Sequence, residues 1–274
     1  MSARKAHSIR RDLRSNSPRV AVVIPTKNEE KNLAHVLPYL PDGIFEVIIV
    51  DAKSKDRTRE VARELRPDCK IIDQQARGKG SALAAGLCST NADIVVMLDA
   101  DGSMDPREIP AYVGALMAGA DLAKGSRAAA GSRSEDITII RRLGNWGLKT
   151  LVNFVFKQRW TELAYGYAAM WTDILEPLDI HKIDYPAKNE ILGYGHGFEI
   201  ETLLFTRAAR SGLRVVEISS VEFERIHGAS NLQTFVDGWR VLKCIGRERM
   251  RYYPIHTTEQ HIRSENPLHP HGSQ

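Results

Sequence analysis

The chain has 274 residues, enough for one large α/β domain or two small ones, and its 43% hydrophobic content supplies an ordinary core. The net charge of +4 is unevenly placed: the first nineteen residues carry six basic side chains against Asp12, which leaves the remainder near −1 and excludes a basic nucleic-acid-binding body. Three scattered cysteines, no apolar run near the ~18 residues of a membrane span and no signal-peptide core predict a reduced, cytoplasmic protein without a disulfide framework.

Residues 1–17 read as a disordered, solvated basic tail, with attraction to phospholipid or nucleic acid as the alternative. Residues 20–25 are a short buried strand stopped by Pro25. Residues 28–40 carry helical signals, with Asn28 as N-cap and Glu29 and Glu30 in the first turn. A second strand covers 45–50 and ends at Asp51. A helix over 57–65 repeats Val61, Ala62 and Leu65 at helical spacing. Residues 70–73 are a third strand, 80–87 a helix and 94–98 a fourth strand. This alternation predicts a mainly parallel sheet with helices on both faces. The polar loops 26–29 and 51–56 then share one crevice with Asp99 and Asp101.

Past Arg127 the pattern changes. Residues 128–136 form a small, polar loop of the mobile or ligand-gated kind. Residues 137–156 are an apolar helix interspersed with Arg141, Arg142 and Lys149, open to packing in its own core, against a partner subunit or on a membrane. A helix at 198–210, a strand at 213–218 and a final helix at 234–252 follow. That last helix carries Arg240, Lys243, Arg247, Arg249 and Arg251, a second candidate membrane surface. Residues 253–274, rich in His and Pro, read as a disordered tail. The chain shows no internal repeat.

Two stretches carry chemistry. The apolar run 95–98 ends abruptly in Asp99-Ala100-Asp101-Gly102. On an extended backbone residues i and i+2 point the same way, so both carboxylates face the crevice at the carboxyl end of a core strand. Two hard oxygen donors beside a diphosphate suit Mg²⁺ or Mn²⁺; the alternative is a strand end followed by an Asp-Gly turn. Arg77-Gly78-Lys79-Gly80 places glycines and a lysine at a helix N-terminus, a ready anion site, although without the Walker spacing of an ATPase. A turn with an exposed lysine is the alternative there.

Together the pieces form an ordered set: Ile24-Pro-Thr-Lys-Asn-Glu-Glu30, Val50-Asp51 with Ser54-Lys-Asp-Arg-Thr58, Arg77-Gly-Lys-Gly-Ser-Ala-Leu83, Asp99-Ala-Asp101 and Gly125-Ser-Arg127. Over about residues 18–250 this resembles the GT-A glycosyltransferases of family 2, particularly the dolichyl-phosphate mannose and glucose synthase branch. The resemblance implies one GT-A domain over 18–252, with a Rossmann-like nucleotide-sugar half (18–127) and a mixed acceptor half (128–252). It implies that Pro25, Thr26 and Glu29 line the nucleoside pocket, that Asp51 accepts from the base edge, and that Lys79 lies near base or phosphate. Asp99 and Asp101 become the DxD pair holding the metal and diphosphate, and Arg127 approaches the sugar-phosphate once the next loop closes. Glu162, where the branch usually has aspartate, and Glu199 become the candidate acceptor-side bases. Arg225 and His227 belong to the loop that clamps the diphosphate, where Asn231 replaces a lysine, and Ser103 stands where a metal-contacting glutamine is common. Glu162 and Glu201 have the alternative of being surface charges.

The implied activity is metal-dependent, inverting transfer of a hexose from GDP-mannose or UDP-glucose to polyprenyl phosphate, by a cytoplasmic protein at the inner face of the membrane. Two alternatives stand beside it: transfer to the hydroxyl of a soluble small molecule, and a sugar-1-phosphate nucleotidyltransferase. The partners implied are a nucleotide-sugar donor, a lipid-phosphate or small-molecule acceptor, peripheral membrane contact and a homodimer, with no nucleic acid.

Overall fold

The computed structural model describes residues 14–134, 139–183, 193–228 and 234–251, without the side chains of 133, 134, 139–141 and 234. The tail expectations for 1–13 and 253–274, and the Ser230 and Asn231 positions of the clamp loop, lie outside these residues. Arg14, assigned to the tail by sequence, is tied to the domain: it pairs with Asp121 at 2.8 Å and Asp173 at 3.1 Å and stacks over Trp171.

Seven strands form one sheet: β1 (Val20–Thr26), β2 (Glu46–Asp51), β3 (Lys70–Asp73), β4 (Ile94–Met97), β5 (Leu122–Ser126), β7 (Ala168–Trp171) and β8 (Val215–Ser219). Their order is β3-β2-β1-β4-β7-β5-β8, and a separate parallel pair joins β6 (Arg133–Ser134) to β9 (Val221–Glu222). Within the large sheet only β7 runs antiparallel, between β4 and β5. The chain steps from β1 outward to β3 and then returns to the other side of β1 with β4. The order therefore reverses between β1 and β4, and open α/β sheets bind ligands at the carboxyl edge of such a point.

The first two strands and β4 are nearly continuous apolar runs because helices cover both sheet faces. Val22, Ile24, Val47, Ile49, Ile94 and Val96 pack with Leu33, Ala62 and Leu116 on one face. Val23, Ile48, Val50, Val95 and Met97 pack with Leu83, Leu87, Leu203 and Leu204 on the other. Each such side chain, fully buried, stabilises by about 1.5–3 kcal/mol. The helices are α1 (Thr58–Leu65), α2 (Lys79–Leu87), α3 (Ile109–Met117), α4 (Ile139–Phe156), α5 (Ile200–Arg210) and α6 (Thr234–Met250), and α6 packs on both α4 and α5. Among the described residues no helix is long and apolar enough to cross a membrane.

The helix expected over 28–40 is replaced by two short 3-10 turns, Leu33–His35 and Leu37–Tyr39. Asn28 adopts a left-handed φ of 58°, so it starts no helix. Its N–H donates to Ser54 and its side-chain oxygen accepts from the Lys55 N–H, tying the β1 loop to the β2 loop. Pro38 then lacks the N–H that an α-helix needs inside its ladder. Leu33, Val36 and Leu37 are still buried, so the apolar spacing was informative about the core though not about the conformation.

α2 lies flat on the sheet at Gly86, where an added Cβ would come within 2.3 Å of Val23 Cγ1 and 2.9 Å of Val50 Cγ2. Strand valines are stiff at χ1 and cannot yield cheaply. Gly86→Val is expected to destabilise the fold by about 2 kcal/mol through overpacking, read as a lower urea midpoint.

Candidate active site

A cavity of about 670 Å³ opens at the carboxyl ends of β1, β2 and β4. Pro25, Thr26, Lys27 and Glu29 reach it from the β1 loop, Lys53 from the β2 loop, and Arg77, Gly78 and Lys79 from the entry to α2. Asp99 and Asp101 form its floor, with Phe198 and Arg225 arriving from the second half of the chain. Its size is that of a typical small-molecule site.

β4 ends at Met97, so the two aspartates project from the turn that follows rather than from an extended strand. Each is met by a cation. Lys79 Nζ lies 2.8 Å from Asp99 Oδ2 and 3.1 Å from Glu201 Oε1, in the first turn of α5. The two carboxylates outweigh the burial of Lys79 and hold its proton more tightly than in an ordinary lysine. Arg225 places one terminal nitrogen 2.7 Å from Asp101 Oδ2, while Asp101 Oδ1 accepts from the Ser103 N–H and hydroxyl. The loop bearing Arg225 is stitched to the aspartate turn: the Phe223 N–H donates to Ser103 O and the Ile226 N–H to Asp101 O. Arg225 Nε is buried without a hydrogen-bond partner. Glu29 is pushed above the usual carboxylate range by burial, and the nearby Asp101 and Asp99 charges add to this while Asn32 and Arg225 oppose it.

Behind this cavity the second half of the chain holds, with Arg127 and Lys124, another set of buried charges. Arg127 pairs with Glu162 at 3.0 Å and Glu222 at 2.8 Å and stacks over Tyr165. Glu162 also accepts from Asn145 and from the N–H groups of Leu163 and Ala164. Despite burial, the Arg127 charge and these donors hold the Glu162 carboxyl below its usual range. Lys124, fully buried, bonds Glu217 and the Glu162 carbonyl.

Residues 21–178 match the description Glycosyl transferase family 2. The chain belongs to that family. It is 29% identical over 233 residues to an undecaprenyl-phosphate mannosyltransferase from Micrococcus luteus, covering 82% of this chain and 91% of that one. It is 30% identical to a polyprenol monophosphomannose synthase from Mycolicibacterium smegmatis, covering 78% and 81% respectively. The fold matches glucosyl-3-phosphoglycerate synthase from Mycobacterium tuberculosis with a TM-score of 0.64 at 20% identity, over 91% of this chain and 84% of that one. That structure is a complex with Mn²⁺, uridine-diphosphate-glucose and phosphoglyceric acid. The sheet of this family 2 glycosyltransferase is thus the GT-A fold expected from its motifs.

Of the residues nominated from sequence, Pro25, Thr26, Glu29, Lys79, Asp99, Asp101 and Arg225 line the one cavity. Asp51 does not: it is buried and orders its own loop, accepting from the Ser54 N–H and the Thr26 hydroxyl. His227 is turned away against the His35 ring, and its carbonyl accepts from Asn32. Arg127 and Glu162 are spent on each other, and Glu199 accepts from Arg240 and the Gly195 N–H. Glu162 and Glu199, the two nominated bases, are thus held in ion pairs and do not line the cavity. Glu201, weighed from sequence only as a surface charge, is buried and reaches Lys79 at the entry to α2. The signal available for it was its position two residues after Glu199 in a Gly-Phe-Glu-Ile-Glu run.

Glu162→Gln is expected to cost about 3 kcal/mol at pH 7, the scale for breaking a buried ion pair. The folded carboxyl lies below its unfolded value near 4.5, so ionisation favours folding. The contribution is complete above that value and is lost as pH falls through the folded pKa. Urea unfolding across pH should show the gap between Glu162→Gln and wild type constant at neutrality and closing below about pH 4.5.

Proposed function

We propose that this family 2 glycosyltransferase transfers a hexose, with inversion, from a nucleoside-diphosphate sugar to a polyprenyl phosphate at a membrane surface. The observation that carries the donor side is the cavity at the β1–β4 reversal, where two carboxylates are paired with two cations. The names of the Micrococcus and Mycolicibacterium relatives support a lipid-phosphate acceptor, and the Mn²⁺ and UDP-glucose complex of the structural neighbour supports the donor class. Family membership leaves the nucleotidyltransferase alternative without support.

The donor set fits a divalent cation. Asp99 and Asp101 offer hard oxygens at the floor of the cavity, two residues apart in one turn. Among the described residues no third carboxylate, imidazole or thiolate is grouped with them, so the remaining ligands would come from the diphosphate and water. Bound there, Mg²⁺ or Mn²⁺ would act as a Lewis acid that neutralises charge developing on the departing diphosphate. Arg225, with a spare buried N–H, and Lys79 would add fixed positive charge at the same leaving group. An acceptor phosphate oxygen attacks the anomeric carbon from the opposite face; the C1–O bond breaks and its electron pair leaves with the nucleoside diphosphate. No proton has to be removed from a phosphate nucleophile. That agrees with a cavity whose nominated bases, Glu162 and Glu199, are engaged elsewhere.

The lipid acceptor draws on a second feature. α4 buries Val152 and half-buries Leu148 on one side and exposes Leu143, Trp146, Leu151 and Phe154 on the other. α6 buries Val241, Cys244 and Ile245 and exposes Phe235, Trp239, Leu242 and Met250. Phe154 is 85% exposed and Phe235 83%, which leaves two adjacent helices apolar on both sides. Arg142, Lys243 and Arg247 are exposed on the same helices, the pairing of aromatic anchors with basic side chains that suits an anionic lipid interface.

Mn²⁺ with GDP-mannose or UDP-glucose is expected to raise the melting temperature, and the stabilising donor should label undecaprenyl phosphate. Asp101→Ala should abolish transfer at an unchanged circular dichroism spectrum; full activity in that variant, or undiminished turnover in EDTA, would sink the metal reading. For the surface, the protein should float with phosphatidylglycerol vesicles, and Trp146→Glu with Phe154→Glu should reduce flotation at least tenfold, each lost aromatic being worth over 1 kcal/mol. A dimer that does not float would assign this face to a second copy instead.

A further inference from the structure

Lys79 is the first residue of α2, and its place is fixed from both sides. The N–H of Gly80 donates to His196 O at 2.7 Å, clamping the helix entry to the loop that precedes α5. The ammonium then lies between Asp99, on the donor floor, and Glu201, on α5. Glu201 is only 5% exposed, and among the described residues Lys79 is the cation it contacts. The chain makes room for this pair at Gly166, just before β7. A Cβ there would lie 2.9 Å from Lys79 Nζ and 3.0 Å from Glu201 Oε1. Three elements far apart in sequence thus converge on one ammonium.

The arrangement matters because Asp99 is also a candidate ligand for a divalent ion. Lys79 at 2.8 Å occupies the same carboxylate. A divalent cation on that carboxylate would sit close to the ammonium and repel it. Withdrawn from Asp99, a buried ammonium needs another counter-charge to avoid standing unpaired. Glu201, already 3.1 Å from the same Nζ, is placed to supply it.

We infer that Glu201 is a positioning residue of the donor site: it retains the Lys79 ammonium when Asp99 turns to a divalent cation, and so keeps a fixed positive charge beside the diphosphate. This rests on the metal reading of Asp99 and Asp101 proposed above. Glu201→Gln keeps shape and hydrogen-bonding size and removes the counter-charge.

Mn²⁺ alone, titrated into the purified full chain and followed by the electron paramagnetic resonance signal of the free ion, reads the effect without turnover. Glu201→Gln is expected to weaken Mn²⁺ binding about tenfold, within the range of coupling for residues in one charge network. In a Lys79→Met background the same change should shift affinity less than about twofold, because the charge it balances is gone. Glu201→Asp, which keeps the carboxylate, should recover part of the affinity and serves if Glu201→Gln does not fold. Unchanged Mn²⁺ affinity in Glu201→Gln, or equal weakening with and without Lys79, overturns the inference and leaves the metal site standing. If the wild-type chain binds no Mn²⁺, the metal reading and this inference fall together.

Discussion

Asp99 and Asp101 emerge where β4 stops, at the edge of a sheet buried on both faces, and carboxylates there need positive charge close by. An unpaired ion in such a place costs several kcal/mol, so the surrounding chain is constrained to bring cations to it. Lys79 comes from the α2 entry and Arg225 from the loop after β9. Each cation carries its own supports: the Gly80–His196 bond for one, and the Ser103 and Ile226 backbone bonds for the other. The donor cavity is the space left between these paired charges. The proposed binding of a diphosphate with a divalent ion draws on the same balance, because a ligand of mixed charge can replace either partner without leaving the other unpaired.

The acceptor half meets the same constraint differently. Lys124, in mid-strand, is fully buried between the Trp160 and Phe205 rings and opposes Glu217 at 2.8 Å. Burial lowers its pKa, and Glu217 works against that shift. Glu217 also takes the N–H groups of Thr161 and Glu162, which fixes the 160–164 segment against β8. Glu162 then receives Arg127, and Arg127 reaches Glu222 on β9. Lys124, Glu217, Glu162, Arg127 and Glu222 thus form one continuous set of ion pairs and hydrogen bonds. This separates the halves in kind: charges on the donor side face a cavity, and those behind it face one another.

How much of this could be read from the chain varied with how strongly local pattern dominated. β1, β2 and β4 were legible because continuous β-branched runs have few other uses, and the order of their polar ends located the cavity. α3 and β7 escaped notice. Ala168–Trp171 is rich in alanine, a helix former, and is a strand only because β4 and β5 flank it. β5 carries a lysine and a glycine in mid-strand, which reads as loop until Glu217 and the rings around Lys124 are in place. The same limit governs the site. Pro25, Thr26, Glu29, Lys79, Asp99, Asp101 and Arg225 could be nominated from motifs that each lie in one stretch of chain. Whether Arg127 or Glu162 is free depends on partners 35 and 95 residues away, which no local spacing encodes.

β7 joins these observations. Running antiparallel between β4 and β5, it delivers residues 162–167 to the carboxyl edge of β4, from the opposite direction to every other strand. Gly166 then arrives beside Lys79 and Glu201, and Tyr167 stacks on Tyr112 with its hydroxyl donating to Asp105 O, four residues past Asp101. A parallel strand in that position would present its carboxyl end to the cavity edge and send 162–167 to the far side of the sheet. The mixed sheet therefore brings Gly166 beside the Lys79–Glu201 pair, while Arg225 reaches Asp101 from the loop after β9, so both aspartates meet the second half of the chain through charge.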